Sequence, residues 1–165
     1  MKTKILLILL FTLLFFHCVD KRNGEVFKDY YYASLLLGDN NTELYQACSG
    51  FYASEASCVA KLSNISDVCN TTEFTRLKEG ISPAALASDT VLTDYYRCWA
   101  TCNTNFNEES NCKNEKFLDY SDYRSKQRSE ISNPYQKWRY CFAACNNGQS
   151  IYEGLTGTTY PNDPF

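Results

Sequence analysis

Apolar side chains between residues 26 and 153 recur at steps of three and four, the period of helices buried on one face, and no stretch alternates as a strand would. Phe27, Tyr30, Tyr31, Ser34 and Leu37 mark a helix over Val26–Leu37, which Gly38 stops within the turn cluster Gly38-Asp39-Asn40-Asn41. Asn41 or Thr42 caps a second helix over Glu43–Leu62. Its stripe is Leu44, Cys48, Phe51, Cys58 and Leu62, interrupted only by Glu55. On one helix Cys48 and Cys58 would share a face about 15 Å apart, beyond the reach of a bridge to each other. Ser63–Asn70 reads as a polar turn holding Cys69, and Thr72–Glu79 as one or two helical turns closed by Gly80. Ser82-Pro83 reads as a helix start, with the helix running, broken near Ala87–Thr90, to about Asn103. Its stripe is Leu92, Tyr95, Trp99, Cys102 and Phe106.

Asn103–Glu115 is polar and carries Cys112. Lys116–Ile131 predicts a charged helix with a largely solvated face and a weak stripe of Phe117, Leu118, Tyr120 and Tyr123. Asn133-Pro134 opens the last helix, to Asn147, with Tyr135, Trp138, Phe142 and Cys145 inward and Gly148 as the stop. Residues 154–165 read as an irregular tail. The expected fold is all-α: a small disulfide-stapled bundle of about four to five helices over residues 26–153, ending in that tail.

The N-terminal pattern is different. Lys2 and Lys4 precede an uncharged run from Ile5 to Phe16, the n-region and h-region of an export signal. As a helix that run would rise roughly 18 Å, short of a hydrocarbon core of about 30 Å. Phe15, Phe16 and His17 offer no small-residue cleavage site, and Cys18 follows at once. A cysteine there resembles a bacterial lipobox, which would make residues 1–17 the signal, Cys18 the lipidated first residue and 18–25 a polar tether. The usual small residue before the cysteine is replaced by His17, as in the relaxed lipoboxes of spirochaetes. One acyl chain binds a membrane only marginally; two or three on Cys18 would anchor permanently.

Cysteine parity points the same way. The chain has nine cysteines. Assigning Cys18 to lipid leaves Cys48, Cys58, Cys69, Cys98, Cys102, Cys112, Cys141 and Cys145, which can close as four bridges. One internal echo bears on the pairing: Cys98-Trp99-Ala100-Thr101-Cys102-Asn103 and Cys141-Phe142-Ala143-Ala144-Cys145-Asn146. Cysteines at i and i+4 stand on one helix face about 6 Å apart. Antiparallel helices would pair Cys98 with Cys145 and Cys102 with Cys141, the preferred arrangement. Parallel helices would pair Cys98 with Cys141 and Cys102 with Cys145. A third option sends each to Cys48, Cys58, Cys69 or Cys112, among 105 connectivities open to eight cysteines. The C-x-x-x-C pair could serve redox or metal chemistry, but a helix staple is favoured, and no metal or other cofactor is implied. The echo resembles the twin C-x-x-x-C hairpins of small mitochondrial import chaperones, yet 38 residues separate Cys102 from Cys141, too many for that family.

Charge and histidine content then narrow the function. Removing residues 1–17 leaves 148 residues with 14 basic against 19 acidic side chains, a net charge of −5 and no basic face for nucleic acid. The single histidine is His17, so a chain starting at Cys18 has none. That excludes Ser-His-Asp and Cys-His hydrolases, His-ligated zinc and His-based acid–base catalysis. Eight cysteines in an exported chain indicate an oxidising compartment, and no C-x-x-C supports a zinc knuckle. Glu108-Glu109 and Asp119/Asp122 are the acidic clusters a carboxylate-based hydrolase would need, though a solvated face explains them as well. Asn40, Asn64 and Asn70 fit the N-glycosylation pattern, which would matter in a eukaryotic source.

Together, the Lys-start signal, the relaxed lipobox at Cys18 and the cysteine-bearing helical body resemble small cysteine-rich lipoproteins of spirochaetes, of the Leptospira type. The resemblance implies an address rather than an activity: exported and lipid-anchored to a bacterial membrane, with the outer membrane favoured, facing the periplasm or the surface. The expected function is a non-enzymatic envelope protein, an interaction or structural module with a possible protein partner. The alternatives are a carboxylate-based hydrolase and a secreted eukaryotic cysteine-rich effector.

Overall fold

The structure is a computed structural model that describes residues 42–110, 112, 116–160 and 165. Cys18, the signal and tether expected around it, and the helix expected over 26–37 lie outside those residues. Among the described residues there is no strand, and no helix is long and apolar enough to cross a membrane. The helices are α1 (Glu43–Ala56), α2 (Ile65–Val68), α3 (Thr71–Glu79), α4 (Asp89–Ser110), α5 (Tyr120–Ser129) and α6 (Asn133–Asn146). Short 3-10 turns lie at Ala84–Leu86 and Glu153–Leu155. The all-α, disulfide-stapled bundle is therefore the architecture, with five helices of nine residues or more among those described and one single-turn helix.

Local chemistry sets most of the helix starts. Thr42 Oγ1 accepts from the Tyr45 amide at 3.2 Å, Asn70 Oδ1 from the Glu73 amide at 3.0 Å, and Asp119 Oδ1 from the Asp122 amide at 2.9 Å. α4 begins later than Ser82-Pro83 suggests. Ser82 is held instead by the tail, its amide donating to Thr159 O at 2.8 Å and its carbonyl accepting from the Thr159 amide at 2.7 Å. Ser88 caps the helix in its place, Oγ accepting from the Val91 amide at 3.2 Å. α4 then runs unbroken for 22 residues, past Asn103 to Ser110.

α1 stops at Ala56 rather than Leu62, for a non-local reason. The chain from Cys58 to Lys61 pairs with Phe117 and Leu118: Phe117 N donates to Cys58 O at 2.9 Å, Ala60 N to Phe117 O at 2.8 Å and Lys61 N to Leu118 O at 2.9 Å. Cys58 thus lies beyond the helix, not on the Cys48 stripe. The same pairing holds Phe117 and Leu118 out of α5, which starts at Tyr120.

The core runs along α4. α1 packs along its middle and second half, from Arg97 to Asn107, and α3 lies against its first turns through Lys78–Asp89 and Phe74–Tyr96. α6 is bridged to its middle at Cys98 and Cys102, and α5 closes against α6. Tyr95, Tyr96, Trp99, Leu92 and Phe51 are fully buried there. Trp99 stacks on Phe142 at 5.9 Å between ring centroids and meets Phe51 and Tyr160 edge-on at 6.2 and 5.5 Å. Such pairs add about 0.5–1.5 kcal/mol each beyond their burial. Among its described residues the tail has no helix beyond its 3-10 turn, but it is packed into the core. Leu155, Thr158 and Tyr160 are buried, and Tyr160 Oη donates to Leu77 O at 2.9 Å.

The turn into the tail rests on one glycine. α6 ends with Gly148 N donating to Cys145 O at 3.0 Å and Gln149 N to Ala144 O at 2.8 Å, the paired bonds of a Schellman cap. Gly148 has φ +64°, and a Cβ there would run into the carbonyl oxygens of Leu155 and Thr158. Gly148→Ala is expected to lower stability by about 1–3 kcal/mol through left-handed strain and that collision. Urea denaturation measures it, and an unchanged midpoint would show that the tail moves aside.

Candidate functional site

Three arrangements in the described residues bear on function: the paired cysteines, a buried ion pair and an open groove. All eight cysteines after Cys18 are bridged. Cys48 joins Cys69 with Cα atoms 5.8 Å apart, and Cys58 joins Cys112 at 5.0 Å. Cys98 joins Cys145 at 5.9 Å and Cys102 joins Cys141 at 5.7 Å, the antiparallel arrangement of the echo on α4 and α6. The helix period dictates this register, since i and i+4 on one helix meet i+4 and i on an antiparallel neighbour. Cys102, Cys141 and Cys145 offer sulfurs within 4.8 Å of one another, a spacing that could suit a soft metal. As disulfides they are not thiolates, so they are not ligands in this oxidised form.

The asparagine that follows each C-x-x-x-C unit also has work in the core. Asn146 Oδ1 accepts from Trp99 Nε1 at 2.9 Å, and Asn103 Oδ1 accepts from Trp138 Nε1 at 2.7 Å. Each tryptophan is thereby satisfied by the opposite helix, so the echo is a reciprocal packing unit as well as a pair of staples.

Asn103 connects this unit to the buried ion pair. Glu55, which interrupts the α1 stripe, is 1 % exposed. Its carboxylate accepts from Arg124 Nε at 3.1 Å and from an Arg124 terminal nitrogen at 2.8 Å, and from Asn103 Nδ2 at 3.3 Å. The guanidinium lies within 4.6–5.7 Å of the Phe51, Tyr52, Tyr120 and Phe165 ring centroids. Burial raises the Glu55 carboxyl above its ordinary value, opposed by the Arg124 charge and the bonds from Arg124 and Asn103. Burial lowers the Arg124 guanidinium, but the Glu55 charge and its hydrogen bonds outweigh that and raise it. α5 keeps its solvated face, with Ser121, Ser125, Lys126, Arg128 and Ser129 exposed, while Arg124 and Gln127 join Tyr120 and Tyr123 on the inward side. The pair is a structural clamp between α1 and α5, with both charges fully engaged.

The groove, of about 770 Å³, lies between α1 and α4. Small residues, Ala47, Gly50, Ala53, Ser54 and Ala100, make up much of its lining, with Arg97 and Glu108 as its charged members. Arg97 is bound to Glu43 at 2.6 Å and lies 3.6 Å from Asp94. Three of the four carboxylates a hydrolase would need have structural partners, and the fourth, Glu108, lines the groove. Asp119 caps α5, Asp122 Oδ2 accepts from the Leu118 amide at 3.0 Å, and Glu109 pairs with Lys137 at 2.5 Å. Asn70 is likewise occupied as a cap, its Nδ2 donating to Ser66 O and Asp67 O at 3.2 and 3.1 Å.

Sequence periodicity missed Arg124, because its helix shows helical spacing without apolar identity. The available signal was Glu55, a charge in the middle of a core stripe, which calls for a buried cation. In comparisons with known proteins, no family model, no curated protein and no solved structure matches this chain.

Proposed function

We propose that this chain is a non-enzymatic, lipid-anchored protein of a bacterial cell envelope, held to the membrane through Cys18 and presenting its helical domain as an interaction or structural module. The observation that carries the reading is the pattern of Lys2, Lys4, the apolar run Ile5–Phe16 and Cys18. Cysteine pairing supports it: the eight cysteines after Cys18 bond among themselves, which leaves the ninth for another fate. Four bridges are also consistent with an oxidising compartment. On the domain, the groove between α1 and α4 is a shallow face that a partner could occupy, and Glu55 and Arg124 are committed to the core.

Cys18→Ser is expected to abolish incorporation of labelled palmitate and to shift the protein from the detergent phase to the aqueous phase on Triton X-114 partition. Retention in the detergent phase without acylation would defeat the lipid anchor. A membrane-impermeant amine reagent applied to intact and lysed cells then separates surface from periplasmic display. An unacylated chain recovered from the medium would favour the secreted effector.

A further inference from the structure

We propose that the twin staples of α4 and α6 form one thiol–disulfide exchange unit, in which an incoming thiol becomes bonded to Cys141 and Cys98 is freed as a thiol. Two features carry this, and both concern position. First, Cys102 Sγ lies 3.7 Å from Cys145 Sγ, a sulfur of the neighbouring bridge. Among the described residues, Cys102, Cys141 and Cys145 are the one group of three sulfurs within 4.8 Å of one another. Second, a cavity of about 270 Å³ opens onto the Cys102–Cys141 bridge, lined also by Phe106, Pro134, Trp138 and Lys137. The two sulfurs of that bridge are unequal: Cys102 is 1 % exposed, while Cys141 is half-buried.

Exchange proceeds by thiolate attack on a bridged sulfur, and access decides which sulfur is attacked. An incoming thiolate, from a small thiol or a partner's cysteine, attacks Cys141 Sγ. A mixed disulfide forms at Cys141, the Cys102–Cys141 bond breaks, and Cys102 leaves with the electron pair as a thiolate. That thiolate already lies beside Cys145. It attacks Cys145 Sγ, the Cys102–Cys145 bond forms, the Cys98–Cys145 bond breaks, and Cys98 leaves as a thiolate. The proton given up by the incoming thiol ends on Cys98. The number of disulfides is one greater by the mixed bond and one fewer within the chain, so no oxidant or reductant beyond the thiol is needed. The helical repeat makes the second step possible, because Cys98 and Cys102 sit on the same face of α4 and both look toward Cys145.

The test uses the full chain in two forms. In Cys141→Ser, Cys102 is a free thiol beside an intact Cys98–Cys145 bridge. After incubation at pH 8, acid quench and alkylation, non-reducing peptide mapping is expected to recover a Cys102–Cys145 peptide, with alkylation divided between Cys98 and Cys102. Alkylation confined to Cys102 would overturn the proposal. Wild-type protein treated with limiting glutathione at neutral pH provides a second measurement that does not depend on the variant folding. The expected first product carries glutathione on Cys141 and a free thiol on Cys98. Glutathione appearing first at Cys58, Cys112, Cys48 or Cys69, or a free thiol that remains on Cys102, would contradict it.

Discussion

Replacing Cys98, Cys102, Cys141 and Cys145 together by alanine is expected to lower stability by about 6 kcal/mol, a large share of the roughly 5–15 kcal/mol that holds an ordinary domain folded. The two staples are nested, and their effects are therefore unequal by order of removal. Cys102–Cys141 spans 39 residues of sequence and Cys98–Cys145 spans 47. While either bridge stands, the other closes only a small additional loop of about eight to ten residues, worth about 2–3 kcal/mol in chain entropy. Once one is gone, the remaining bridge restrains the whole excursion through α5, worth about 4 kcal/mol. The double variants Cys98→Ala/Cys145→Ala and Cys102→Ala/Cys141→Ala should thus each lose about 2–3 kcal/mol, and the quadruple variant more than their sum. Urea denaturation of all three measures this, and a quadruple variant within 2 kcal/mol of wild type would show that packing alone holds α4 to α6.

Arg124→Ala is expected to lower stability by about 3–5 kcal/mol, because it leaves the buried Glu55 carboxylate without its cation. The guanidinium also fills the space between Phe51, Tyr52, Tyr120 and Phe165, so part of the loss is packing. The double variant Glu55→Leu/Arg124→Met separates the two contributions. It removes both charges while keeping apolar volume, and it should recover most of the loss. The pH dependence has a definite sign. Glu55 is held above its ordinary value in the fold, so the unfolded chain releases that proton first as pH rises. Its contribution to stability is complete below the ordinary carboxylate value and is lost as pH rises through the raised one. Glu55→Gln should flatten that part of the stability profile, and a profile identical to wild type would remove Glu55 as its source.

What was legible in the sequence follows from the range of the interactions. α6, with Pro134 at its start and Gly148 at its stop, and the stripe of α4 are local amphipathic patterns, and they stand where the 3.6-residue period puts them. The register of the twin staples is equally local in origin, since two i, i+4 pairs on antiparallel helices leave one natural pairing. The end of α1 was not legible, because its backbone is diverted by pairing with Phe117, far away in sequence. Ser82 was read as a cap from its neighbour Pro83, whereas Thr159 of the tail holds its backbone. On α5 the weak stripe marks Tyr120 and Tyr123 but not Arg124 and Gln127, which share their spacing and are hidden by polar side chains. The tail carries threonines and glycines that read as irregular, yet Leu155 and Tyr160 dock it on α3 and α4. No local pattern encodes such contacts.

On the proposed function Cys18 would carry lipid while the other eight cysteines hold the fold as four bridges. Non-reducing mass spectrometry of the chain from its native source tests both at once. The predicted result is a mature chain beginning at Cys18, heavier by two or three acyl chains, with four bridges and no alkylatable thiol. An unacylated N-terminus, or Cys18 found in a disulfide, would contradict it.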